Sequence, residues 1–233
     1  MKQNKNILYY LILSTTAAAI ILLLSFVKTS TTNTVTINDK LLVAGAFIAS
    51  CIFGISIAIY PGWHKKLIKK ESHNLNKQLQ KPTRKRKGHH PDCQPFKSHT
   101  ITIKNKTLCA GCLGLSTGAI LAIILTILYI NTPLEQTNNL YHILIILGLT
   151  IISLTYIEIM LPTRKPIIHV ISNILLVISF LLITISILEI TKNTVYGLIA
   201  ILLSFLWLDT RIQLSQWQHT RICHECTENC KTY

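Results

Sequence analysis

Six of the seven cysteines stand in two short clusters, each mixed with histidine. The first runs His89-His90-Pro91-Asp92-Cys93 and resumes at Cys109-Ala110-Gly111-Cys112; the second is Cys223-His224-Glu225-Cys226-Thr227-Glu228-Asn229-Cys230. Thiolates and imidazoles at such spacing are ligands for a borderline-soft cation. Two residues between cysteines let the chain turn so that both sulfurs face one ion at ~2.3 Å, and a glycine such as Gly111 permits the tight turn. Cys109 and Cys112 thus make half of a tetrahedral site. The ion that this set suits is zinc, with His89, His90, Cys93, Cys109, Cys112, Cys223, Cys226 and Cys230 as candidate ligands.

Two groupings are open. Cys93 with His89 or His90 can complete a site with Cys109 and Cys112 inside one loop, or Cys223 and Cys226 can join the first knuckle as in a zinc ribbon and clamp the tail to the loop. The return segment from Ile101 to Leu108 reads as a small hairpin, apolar at 101, 103 and 108, with an Asn105-Lys106 turn. For the tail's C-x2-C-x3-C an iron-sulfur cluster is the rival cofactor. Haem attachment is disfavoured, because C-x-x-C-H is absent. Cys51, alone in an apolar run, reads as an inert core residue.

The elements that must position these clusters are membrane helices. Half of the chain is hydrophobic and only 14% is charged, with the charge confined to a few segments. A helix rising ~1.5 Å per residue needs about 20 apolar residues to cross a hydrocarbon layer of ~30 Å. Ile7 to Val27, Leu41 to Tyr60, Leu113 to Ile130, Leu140 to Leu161 and Ile167 to Leu188 meet that length. A sixth run, Asn193 to Leu208, is shorter and crosses only with snorkelling or local thinning. The first run has no small-x-small cleavage site at a suitable distance and reads as an uncleaved span. The predicted fold is all-α: a polytopic helix bundle of about six spans with a small cytoplasmic Cys/His metal-binding loop.

The formal charge of +14 follows this topology. With six spans, twenty Lys and Arg fall on one side and only Lys28, Lys40 and Lys192 on the other. That bias places both termini and the central loop in the cytoplasm of a multi-pass protein of the cell membrane. The expected order is spans one and two over residues 1–60, a basic loop with the metal knuckle over 61–111, spans three to six over 112–208, and a Cys-rich tail over 209–233. The knuckle then sits at the mouth of the third span, where the helix dipole favours thiolate at Cys112. Ala110, Gly114, Gly118 and Ala122 recur every fourth residue in that span, a smooth stripe for close helix packing. Glu158 and His169 stand near inner ends of spans, Glu158 with Arg164, His169 or Asp209 in reach; Glu189 and His142 stand near outer ends. The runs Lys65-Lys66-Leu67-Ile68-Lys69-Lys70 and Lys81-Pro82-Thr83-Arg84-Lys85-Arg86-Lys87 flank the bilayer and suit anionic lipid headgroups. Nucleic acid is a poor partner, since the basic run lacks interleaved aromatics.

His90, Asp92, Cys93, Phe96, Ser98, His99, Cys109, Ala110, Cys112 and Gly114 together resemble a family of small archaeal and bacterial polytopic membrane proteins, a domain of unknown function. That family is marked by His-x-Asp-Cys or Cys-His, a short basic stretch, and Cys-Ala-x-Cys-x-Gly entering a helix. Gly111 stands where its bacterial version has arginine. The resemblance covers roughly 30 residues and implies no activity. Closed four-ligand sites suit a structural scaffold, a docking surface for a protein partner or a second copy, or a metal or redox sensor. A metal- or thiol-dependent enzyme acting at the inner surface is the alternative, although H-E-x-x-H, G-x-S-x-G and a Walker loop are all absent. A transporter fits least, because the span centres carry almost no polar side chains beyond Ser and Thr.

Overall fold

The computed structural model describes residues 2–27, 35–59, 86–87, 90–91, 96, 99–103, 106–132, 138–161 and 165–225. Six helices among them are long and apolar enough to cross a membrane. They are α1 (Lys2–Leu24), α2 (Ile37–Ile59), α3 (Ala110–Asn131), α4 (Asn138–Met160), α5 (Pro166–Thr191) and α6 (Thr194–Glu225). Between α2 and α3 lie two short antiparallel pairs: β1 (Arg86–Lys87) with β2 (His90–Pro91), and β3 (Thr100–Ile103) with β4 (Lys106–Cys109). Each of the six expected runs coincides with one of these helices to within a few residues at its ends. The sixth differs most, because the uncharged stretch ending at Leu208 occupies only the first half of a 32-residue helix. Asp209 and the residues after it continue the helix, so the charge that ends the hydropathy run does not end the hydrogen-bonded backbone.

The bundle is organised around α5, the most enclosed helix, on which α3 and α4 pack. The stripe on α3 explains how close that packing is. A β-carbon added to Gly114 would lie 2.5 Å from the Val170 carbonyl oxygen, and one added to Gly118 would lie 2.9 Å from Ile174 Cα. Only hydrogen fits at either place. The helix pair therefore meets backbone to backbone, which is the packing that the four-residue spacing predicts. On α1, α4 and α6, Ser14, Tyr156 and Trp207 form a polar clasp: Tyr156 donates to the Trp207 carbonyl at 2.9 Å, and Trp207 Nε1 donates to the Ser14 carbonyl at 3.1 Å.

Ends are fixed by local chemistry. Thr36 Oγ1 accepts the Asp39 N–H at 3.2 Å and donates to the Asp39 carboxylate at 2.6 Å, a reciprocal cap that starts α2. Asp39 also accepts from Thr194 Oγ1, tying the start of α2 to the start of α6. Pro166 opens α5, where a missing N–H costs nothing. Lys192 closes α5 in the left-handed region at φ 50°, and its N–H returns to the Leu188 carbonyl at 2.9 Å. The turn into α6 is thereby two residues long. At the same end Glu189, 3% exposed, accepts from Tyr129 at 2.6 Å and pairs with Lys40 at 3.2 Å and Lys192 at 2.9 Å. Two of the three basic residues assigned to that side meet on one buried carboxylate.

The outer faces are apolar and the interior is partly polar. Leu23, Ile143, Ile146, Ile167 and Leu202 are each more than half exposed, while Ser172, Asn173, Ser179, Thr184 and Ser186 are buried along α5.

Candidate functional site: a thiol and imidazole cluster over a cavity

The hairpin β3–β4 delivers the site. Its register pairs Thr100 with Cys109, Ile101 with Leu108 and Ile103 with Lys106. The apolar pairing at 101 and 108 is the expected one. Lys106, expected in the turn, instead belongs to β4 opposite Ile103, and Asn105 lies outside the described residues. Strand β4 runs directly into α3, with Cys109 as its N-cap in extended conformation. The helix thus begins three residues before the expected Leu113. Cys112 lies inside the first turn, among the backbone N–H groups that have no partner within the helix.

The Cys109 and Cys112 thiols hydrogen-bond to each other. A β-carbon placed on Gly111 would lie 3.3 Å from His169 Nε2 and 3.7 Å from Cys109 Sγ, so an imidazole nitrogen and a thiol flank the same empty point. Glycine keeps that point clear. His169 Nδ1 lies 3.2 Å from both oxygens of Glu158, and both residues are less than a tenth exposed. When Nδ1–H donates to the carboxylate, the neutral ring turns its Nε2 lone pair toward the cysteines. Of the expected partners, His169 pairs with Glu158, Asp209 accepts from Gln213 at 3.4 Å, and Arg164 lies outside the described residues.

A second pair of imidazoles closes the cluster. His99, immediately before β3, is 3% exposed, and its Nδ1 lies 3.3 Å from Nε2 of His219 on α6. Phe96 packs against both rings, at centroid separations of 5.4 and 5.3 Å, and His99 lies 6.1 Å from the His169 ring. Cys223 sits one helical turn beyond His219 on the same face of α6, half-buried.

Below the cluster is a cavity of about 580 Å³ between α2, α3, α5 and α6. His99, Cys109, Cys112, His169 and His219 line one end, Phe47, Val177, Phe180 and Phe205 the other, with Arg211 in the wall at 3% exposure. Cys51, read as an inert core residue, is buried and also lines this cavity.

Of the candidate ligands, Cys109 and Cys112 are brought together, and Cys223 lies on α6 toward the same end. His90 pairs through its backbone with Lys87 in the β1–β2 ladder. His89, Cys93, Cys226 and Cys230 lie outside the described residues. Among the described residues no three His, Cys, Asp or Glu side chains already surround a common point at metal-ligand distance. His99, His219 and Arg211 were not among the residues that spacing singled out as ligands. For α6 a signal exists: Leu208, Arg211, Ser215 and His219 recur at three- and four-residue steps, one helical face continuing past the last uncharged residue. Comparison with known protein families, with curated proteins and with solved structures finds no match for this chain.

Proposed function

We propose that the chain is a multi-pass protein of the cell membrane, both termini cytoplasmic, that holds a zinc ion at the inner end of its bundle on Cys109, Cys112 and His169. The ion organises that face for docking or for sensing of metal or thiol redox state. The observation that carries this reading is the Glu158–His169 pair, which presents Nε2 beside Gly111 next to two hydrogen-bonded thiols. A carboxylate behind a ligating histidine fixes tautomer and orientation in the way that metal sites use. A fourth donor is within reach in sequence from the first cluster or the tail, as in either grouping above. The apolar belt and six long helices support insertion in a bilayer. The twenty-to-three distribution of Lys and Arg supports the orientation.

Cobalt substitution tests the ligand set. The purified protein loaded with Co²⁺ should show intense thiolate-to-metal charge-transfer absorption that falls by about half in Cys109→Ser and in Cys112→Ser. A spectrum lacking sulfur ligation would overturn the assignment.

A second reading draws on the cavity. A metal with an open coordination position, set over a pocket of this size, is the arrangement of an enzyme that activates water against a substrate held below. Exchangeable water on the cobalt centre would favour it; a closed sulfur and nitrogen shell would favour the structural or sensing role.

A further inference from the structure

The two ends of the hairpin meet beside the cysteine turn. His99 immediately precedes β3, Cys109 ends β4, and the ladder pairs Thr100 with Cys109. The residue one step before Thr100 therefore stands next to Ala110, the first residue of α3. His99 is 3% exposed and lines the same end of the cavity as Cys109, Cys112 and His169. Its ring centre lies 6.1 Å from that of His169, with the planes at 71°. Two imidazoles on one tetrahedral zinc, each with Zn–N at ~2.0–2.1 Å, hold their ring centres about 5 Å apart. A closure of about 1 Å brings these two rings to a common ion.

His99 is oriented in the way that His169 is. Glu158 faces Nδ1 of His169, and His219 Nε2 faces Nδ1 of His99 at 3.3 Å. In each ring Nε2 is directed away from the partner on Nδ1. When Nδ1–H of His99 donates to His219, the neutral ring carries its lone pair on Nε2, the form in which imidazole ligates. Phe96, 1% exposed, packs on both rings and restrains them. Of the two, His99 is the inner ring: it packs on His169 and shares the hairpin with Cys109, whereas His219 reaches it from α6.

We infer that His99 is the fourth ligand of the zinc held by Cys109, Cys112 and His169, and that His219 is the residue that positions it. This rests on the reading of the cluster as a metal centre. Two thiolates and two imidazoles make a closed shell, which leaves no position for an activated water. The centre is then structural or sensing, complete without His89, His90 or Cys93. Through His219 the ion is also coupled to α6, the helix whose end carries Cys223.

The full-length protein in detergent micelles, loaded with zinc, is read by X-ray absorption; loaded with Co²⁺, it is read by visible absorption. The zinc spectrum should show two sulfur and two nitrogen neighbours with outer-shell scattering from two imidazole rings, and from one ring in His99→Ala. His99→Cys supplies a third thiolate in place of the ring, so thiolate-to-cobalt charge transfer should rise by about half over wild type. His219→Ala should weaken zinc binding by about 10–100-fold while both sulfurs remain, and His219→Gln, whose amide oxygen accepts from Nδ1–H, should restore most of it. One imidazole or three sulfurs in the wild type, two rings surviving in His99→Ala, unchanged charge transfer in His99→Cys, or full affinity in His219→Ala would each overturn the inference. A wild type without bound metal, or with metal but no sulfur neighbours, would instead overturn the metal reading beneath it.

Discussion

Glu158 decides which nitrogen of His169 faces the cysteines, and that choice is what makes the ring a candidate ligand. Glu158→Gln keeps the shape but can turn its amide N–H toward Nδ1 and favour the opposite tautomer. Zinc affinity, measured by chelator competition, should fall by about 10–100-fold, as is typical when a partner behind a metal ligand is lost. Wild-type affinity in this variant would remove His169 from the ligand set. Gly111 is the complementary position. Any side chain there starts 3.3 Å from His169 Nε2, so Gly111→Val should displace the ring and lower zinc stoichiometry while the helical circular dichroism stays the same. At this scale the sequence was half legible. The C-x2-C spacing announces Cys109 and Cys112, because local turn geometry alone brings the sulfurs together. His99, His169 and His219 come from a loop and two helices, and only the packing of α5 and α6 against the hairpin unites them.

Among the elements, α3 and α5 set the tolerance of the fold. Gly114 faces the Val170 carbonyl at a distance that no side chain can occupy, whereas Gly45 on α2 has open space around it. Gly114→Leu should destabilise the detergent-solubilised protein by about 3 kcal/mol or more, as overpacking of a tight contact does. Gly45→Leu should leave the thermal unfolding midpoint within a degree or two, and equal effects at the two sites would deny the close approach of α3 to α5. At the opposite end, Glu189→Ala strands Lys40 and Lys192 beside a buried hydroxyl. Breaking a buried pair in this way costs about 3–5 kcal/mol, to be read as a lowered unfolding midpoint that Glu189→Asp partly restores. The stripe of small residues was readable because four-residue periodicity survives in one dimension. The second half of α6 was not, since Asp209, Arg211 and Arg221 end the hydropathy run while helical periodicity carries on to Glu225. Arg211 and His219 therefore read as tail residues, although each is buried in the bundle.

For the whole molecule, six helices and one strongly basic side make a single topology testable by its ends. Reporter fusions after Ile7 and after Tyr233 should both report the cytoplasm, and a fusion within residues 133–137 should report the opposite side. A cavity with a charged wall and the buried or half-buried side chains of His99, Cys109, Cys112, His169 and His219 lie at one end of the bundle. Chelation should lower the unfolding midpoint, because an ion bound only by the folded state stabilises it in proportion to its affinity. The most direct measurement is elemental analysis of protein isolated without chelator, set beside Cys109→Ser, Cys112→Ser and His169→Ala. The account predicts stoichiometric zinc in the wild type and its loss in each variant; wild-type protein free of metal, or variants that retain it in full, would contradict it.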